Sequence, residues 1–204
     1  VWLGHSPLQV RLTFVATDSY MGAISTGEHA RHQHIRDFYK PWSEIRVRKF
    51  DGLLVTGVNL LGADVTKEGL WPEIEEICAW SDQNVLSTFF LCWSGFAALK
   101  HFHGIESHSG NSKLLGVFDH YKINDRSDLL FGMPDIFPVP VGRWQRLAAA
   151  SVEGRELELI SSSVEGEAFL LADNCMYGKA RSFPRRVYML NHPEYDTATM
   201  KVEY

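Results

Sequence analysis

The chain has 204 residues, 45% hydrophobic and 22% charged, enough to bury an ordinary globular core. Its formal charge of -5 and pI near 6.0 exclude an overall electrostatic pull toward nucleic acid or anionic membranes, leaving only local basic runs such as ARSFPRR. No apolar run reaches the ~18 residues of a membrane span, the first residues lack a signal peptide's charged-then-apolar order, and three cysteines without CxxC spacing favour neither a disulfide framework nor a cysteine zinc site.

A soluble, cytoplasmic protein is therefore expected. In chain order, VWLGHSPLQVRLTFVATD turns apolar and strand-like within ten residues, so a short N-terminal element is expected to precede it. FDGLLVTG reads as a buried strand ending at Gly57, and LWPEIEEICAWSDQ as an amphipathic helix. NVLSTFFLC reads as another buried strand, and SGFAALKHFHG as a helix closed by Gly104. Apolar strands separated by helices predict an α/β fold with a mostly parallel sheet covered by helices on both faces. The runs LLGVFDHYKI, LELISSSVEGEAFLLAD and RRVYMLNHPEYD, punctuated by Gly and Pro, predict added antiparallel strands. With no repeat or linker, residues 1–204 are expected to form one domain.

Cys92 stands where an apolar strand passes into a helix. A thiol at a helix N-terminus is favoured as thiolate, and the same sharp turn would hold it out as a nucleophile. A buried cysteine is also a common inert core residue, so Cys92 needs a base nearby. RRVYMLNHPEYD supplies one: a strand ending at Asn191 delivers His192, with Glu194 two residues on. In an open parallel sheet, ligands gather beyond the carboxyl ends of the strands, so Cys92 and His192 fall on one rim. Cys, His and Glu together make a nucleophile, a general base and a carboxylate that orients the imidazole. The alternative for His192 and Glu194 is a polar turn before a helix. Gly57 lets the backbone approach a reacting carbonyl on that rim, and Gly57 and Val58 with the Trp93 N–H are the candidate oxyanion hole.

Around these residues the chain resembles the homoserine O-acyltransferases of methionine biosynthesis, the succinyl- or acetyl-transferring family of the class I glutamine-amidotransferase-like superfamily, whose sheet is flavodoxin-like. The resemblance runs through SPLQV, FDGLLVTG, LSTFFLCW followed by AAL and GI, KLLGVFDH and NHPEYDTATMKVEY. It implies Cys92 as acyl-accepting nucleophile, His192 as base and Glu194 as its partner. It further implies ping-pong transfer from acyl-coenzyme A, a co-substrate rather than a bound cofactor, to the hydroxyl of homoserine or a similar amino acid. No metal, nucleic acid or membrane enters this scheme, and a homodimer is left open. Where the family reads TGAP, this chain reads TGVNLL, which places Leu61 at the position tied to the acyl donor. The family's Ser–Arg pair becomes Gly142 and Arg143, and Arg143 is expected either to pair with the acceptor's carboxylate or to be a surface arginine beside Trp144. A lysine-bearing strand ahead of SPLQV and an arginine beyond PEYD lie outside the sequence, and STGEHARHQHIRDFY is longer than the family's counterpart.

The remaining candidates read as structure. His29, His32 and His34 form H-x-x-H-x-H, but on a helix the first and last diverge by well over a right angle, which argues against a metal site. His101 and His103 read as helix C-terminal residues complementing the dipole. Cys78 shares an apolar face with Ile74 and Ile77, while Cys175 falls in a polar loop, and Trp71, Trp80 and Trp93 read as packing residues. Two other functions use the same residues: a class I glutaminase, disfavoured because Phe90 and Ser94 replace the glycines of G-x-C-x-G, and a non-catalytic metabolite-binding relative.

Overall fold

A computed structural model describes residues 7, 9–25, 30–58, 60, 62, 64–124, 127–173 and 184–203. The chain divides into two units, Val1–Lys49 and Phe50–Tyr204. In the first, strand β1 (Phe14–Ala16) pairs in parallel with β2 (Tyr39–Pro41), and helices α1 (Asp18–Ile24) and α2 (Ala30–Phe38) lie between them in sequence. Thr17 caps α1 by accepting from the Tyr20 N–H at 3.4 Å. Helix α3 (Trp42–Ile45) follows, and the Asp18 carboxylate accepts from both the backbone N–H and the hydroxyl of Ser43. Among the described residues of this unit, Ile24, Trp42 and Ile45 are the buried apolar side chains.

The second unit is built on a seven-stranded sheet. Its strands are β3 (Phe50–Val55), β4 (Val85–Leu91), β5 (His108–Lys122), β6 (Ile136–Arg146), β7 (Leu157–Ser163), β8 (Ala168–Asp173) and β9 (Arg186–Met189), in the spatial order β3-β4-β9-β8-β7-β5-β6. The expected α/β sheet with parallel and antiparallel parts is present, but the balance between the parts differs. Parallel pairing joins β3 to β4 and β4 to β9, while every other pair in this sheet is antiparallel. The connections explain it: the crossover from β3 to β4 contains helix α4 (Trp71–Asn84), whereas β5–β6 and β7–β8 are linked without a long helix and turn back on themselves.

Local chemistry accounts for the elements around the rim. In α4, Pro72 stands in the first turn, where its missing N–H costs nothing, and Ile74, Ile77, Cys78 and Ser81 fall on one buried face. Cys78 is in the core as expected, and burial pushes its thiol pKa up to about 12. Helix α5 (Trp93–His103) ends where expected, at Gly104 in the left-handed conformation (φ 63°), whose N–H returns to the helix's last carbonyls. Strand β3 pairs only with β4 and leaves Leu54 half exposed, less buried than its apolar run predicts. Strand β6 is the opposite edge, which suits Pro138 and Pro140, since neither can donate to a further strand. Phe137, Val139, Ile160, Phe169, Leu170 and Val187 form the core under the antiparallel part.

Among the described residues no helix is long and apolar enough to cross a membrane, and no group of three or more His, Cys, Asp or Glu side chains is arranged to hold a metal. Leu61, His29 and Cys175 lie outside the described residues.

Candidate active site

Strand register brings the rim together. Val55 of β3 stands opposite Phe90 of β4, so two residues further on Gly57 is level with Cys92. Leu91 stands opposite Met189 of β9, so the next residues on each side lead to Cys92 and, two residues past Leu190, to His192. The strand closes at Met189 rather than at Asn191.

Cys92 has φ 53° and ψ -121°, the one positive φ outside glycine among the described residues. A side chain in that region costs on the order of 1–3 kcal/mol and persists only where the surroundings enforce it. They do so on every side. The Cys92 N–H donates to the Met189 carbonyl at 2.7 Å, and the Cys92 carbonyl accepts from the N–H groups of Gly95 and Phe96 in the first turn of α5. The Ser94 hydroxyl lies 2.8 Å from the Val55 carbonyl and accepts from the Leu91 N–H at 3.0 Å, binding the turn to the end of β3. Ser94 thus supplies with a hydroxyl what a glycine at that position could not. At Gly95 a Cβ would stand 2.9 Å from Leu190 Cδ2, and at Gly57 it would stand 2.7 Å from Cys92 Cβ and 3.0 Å from the Leu91 carbonyl. Both glycines are close-approach positions.

His192 is held by its own backbone and by its ring. Its N–H donates to the Pro140 carbonyl of β6 at 3.0 Å, and the ring stacks on Tyr195 with centroids 4.2 Å apart. Nδ1 pairs with Glu194 Oε1 at 2.6 Å, which leaves Nε2 as the ring nitrogen that Glu194 does not engage. Burial disfavours the imidazolium here, but the bonds to Cys92 and Glu194 and their negative charge outweigh it, raising the His192 pKa to about 9. The three side chains expected to meet on this rim, Cys92, His192 and Glu194, do so. The backbone of Gly57 and Trp93 borders the same turn, with the Trp93 nitrogen 3.3 Å from where a Gly57 Cβ would sit. Trp93 itself is a packing residue, 1% exposed.

Arg143 is buried beside this rim. It is 2% exposed, and its Nε donates to Asn191 Oδ1 at 2.8 Å while Nη1 donates to the Gln145 carbonyl. Nη2 lies 3.6 Å from Glu167 Oε2, and the guanidinium carbon stands 5.5 Å from the Phe96 ring centroid. Burial pushes the Arg143 pKa down to about 10, with Glu167 acting against that shift, so the charge survives at neutral pH. Nε and Nη1 each give one hydrogen to a protein acceptor and so tie Arg143 to Asn191 beside His192, while Nη2 makes no hydrogen bond among the described residues.

Sequence reasoning missed several partners. Asn191 Nδ2 donates to His120 Nε2 at 2.9 Å, and His120 Nδ1 donates to the Phe118 carbonyl at 2.9 Å, which fixes His120 as a neutral ring. Burial depresses its pKa accordingly. Asn191 could have been singled out as a polar residue directly before the base at the end of an apolar strand. His103, read as a dipole-complementing residue, instead pairs with Asp173 Oδ1 at 2.9 Å, and Tyr188 OH donates to the same oxygen at 2.9 Å. Arg186 joins Asp173 to Asp82.

A family profile described as homoserine O-succinyltransferase matches residues 1–204. Relatives named homoserine O-acetyltransferase from Novosphingobium aromaticivorans and Synechococcus elongatus are each 38% identical over 203 residues, 99% of this chain but 63% and 64% of their own lengths. The chain therefore spans less than two thirds of the curated relatives it matches. Among solved structures, the glutaminase domain of Trypanosoma brucei CTPS superposes with a TM-score of 0.54 at 14% identity, covering 93% of this chain and 89% of that one. A glutamine amidotransferase from Thermotoga maritima gives 0.53 at 14% identity, with coverage of 95% and 80%. At those identities the likeness establishes the fold, a glutamine-amidotransferase-like α/β sheet. The match across its whole length places the chain in the homoserine O-succinyltransferase family.

Proposed function

We propose that the chain carries the catalytic part of an acyltransferase that moves an acetyl or succinyl group from acyl-coenzyme A through a Cys92 thioester to the hydroxyl of homoserine or a similar amino acid. The observation that carries the reading is the strained turn at Cys92 within hydrogen-bond reach of a His192–Glu194 pair. The raised His192 pKa favours a protonated imidazole, which holds a proton ready for a leaving group. In the first half-reaction the Cys92 sulfur attacks the thioester carbonyl, and the oxyanion points to the backbone N–H groups of Val58 and Trp93 at the N-terminus of α5. As the carbon–sulfur bond to coenzyme A breaks, His192 gives its proton to the departing sulfur. In the second, neutral His192 takes the proton of the acceptor hydroxyl, whose oxygen attacks the acyl-Cys92 carbonyl, and the Cys92 thiolate leaves. Glu194 holds the ring through Nδ1 in both directions. The ester product suits the sulfur-incorporating branch of methionine biosynthesis, and the free thiols of Cys78 and Cys92 suit a reducing cytoplasm.

The test is mass spectrometry of the protein after separate incubation with acetyl-coenzyme A and succinyl-coenzyme A. An acyl adduct on Cys92 that homoserine discharges is expected, and Cys92→Ser should lower turnover by a factor on the order of 10³ or more. Release of ammonia from glutamine with no acyl adduct would instead assign the site to a glutaminase.

A further inference from the structure

Strand β6 touches the candidate site at more than one point, and one of its side chains has no part in the chemistry above. Gln145 is 2% exposed, and its Nε2 donates to two backbone carbonyls, those of Leu60 at 3.1 Å and Gly62 at 2.8 Å. Both acceptors belong to the loop that continues from Gly57 and Val58. Backbone carbonyls drawn partly out of water, as those of Leu60 and Gly62 are, gain from a donor, and in a segment outside any strand or helix a side chain can supply it. Gln145 directs both amide hydrogens to this loop. The loop has a second anchor at the same place, the Gly62 N–H donating to Glu68 Oε1 at 3.1 Å.

The same strand grips the base. The Pro140 carbonyl accepts the His192 N–H at 3.0 Å, Arg143 Nε holds the Asn191 side chain at 2.8 Å, and Arg143 Nη1 donates to the carbonyl of Gln145 itself. An unbroken path of hydrogen bonds therefore runs from Asn191 through Arg143 and Gln145 to Leu60 and Gly62. One end borders the general base and the other borders the oxyanion loop.

We propose that Gln145 is a positioning residue for acyl transfer: by holding the Leu60 and Gly62 carbonyls it sets the Val58 N–H against the developing oxyanion at a fixed distance from His192. The proposal rests on the roles assigned above to Cys92, His192 and the Gly57–Val58 loop. It requires no contact between Gln145 and either substrate. Its signature is a loss confined to the step that develops charge on a carbonyl oxygen, because removing or displacing one oxyanion donor slows that step by about 10²–10³-fold.

Two variants separate this role from simple support of the fold. Gln145→Met keeps the length of the side chain and removes both donors, and Gln145→Glu keeps its shape while replacing the donor by an acceptor. Two rates are read on each: acylation of Cys92 by the acyl-coenzyme A that wild type uses, and alkylation of Cys92 by iodoacetamide, which attacks a CH₂ carbon and develops no oxyanion. Acylation is expected to fall about 10²-fold in both variants, with donor KM within about twofold and the alkylation pH profile unchanged. Unchanged acylation, or acylation and alkylation falling together, would overturn the proposal. Wild type that alkylates at Cys92 but forms no acyl adduct with either donor overturns the acyl-transfer reading itself, a result visible before any variant is made.

Discussion

A side chain presented on a strained turn is only as well placed as the residues that crowd it, and at Cys92 the tightest of these is Gly57. A methyl group there would stand 2.7 Å from Cys92 Cβ, 3.0 Å from the Leu91 carbonyl and 3.3 Å from the Trp93 nitrogen. None of these atoms lies at the end of a flexible side chain, so the loop must move. Gly57→Ala should therefore cost about 1–3 kcal/mol of stability, as overpacking does. It should also slow Cys92 acylation by roughly 10²-fold, since a small displacement of the oxyanion backbone is felt directly in the transition state. Denaturant unfolding and the acylation rate check the two halves separately. Acylation within twofold of wild type would mean that the loop accommodates a Cβ and that close approach at Gly57 does not matter to the chemistry. This arrangement was legible in the sequence because all of its signals are local: FFLC passing into SGFAAL, Gly57 after an apolar strand, and His192 two residues before Glu194.

Contacts between elements distant in sequence were less legible. Arg143 reads in isolation as a cation available to a substrate, because Asn191 lies 48 residues away, and nothing in VPVGRW announces it. His103 reads as a helix-end residue because Asp173 is 70 residues away. A signal for the second cluster did exist. Arg186 and Tyr188 alternate on one face of β9, and Asp173 ends the apolar run of β8, so polar groups in neighbouring strands invited a shared partner. That cluster ties α4, α5, β8 and β9 together, with Arg186 bonded to both Asp82 and Asp173 and stacked over the Phe102 ring. Burial opposes ionisation of Asp173, but hydrogen bonds from His103, Arg186 and Tyr188 outweigh it and hold the carboxyl below its usual range. Asp173→Asn would leave the Arg186 guanidinium short of its buried counter-charge. The expected loss is about 3–5 kcal/mol, the range found when one partner of a buried pair is removed. Chemical denaturation measures it. A loss under about 1 kcal/mol would show that Asp82 alone satisfies Arg186.

Across the whole molecule, two histidines joined to the same rim pull stability in opposite directions with pH. His120 is buried as a neutral ring, and burial depresses its pKa below the ordinary 6.5, with Arg143 acting in the same direction. An unfolded chain takes up that proton first as pH falls, so the contribution of His120 is present above 6.5 and lost as pH drops through its folded value. His192 does the reverse. Burial works against its charged form, yet its bonds to Cys92 and Glu194 raise its pKa from 6.5 to about 9. Its contribution is complete below 6.5 and is lost as pH rises through about 9. Asp173 adds a loss at more acid pH, as its depressed carboxyl is protonated. Stability should accordingly peak close to pH 6.5 and fall on both sides, with each limb assigned to a different residue. Glu194→Gln removes one of the groups that favour the imidazolium and should move the alkaline limb to lower pH. His120→Gln removes the neutral ring that resists protonation and should flatten the limb just below the maximum. Thermal unfolding of wild type and both variants from pH 5 to pH 10 tests the assignment, and an alkaline limb that Glu194→Gln leaves in place would detach it from His192.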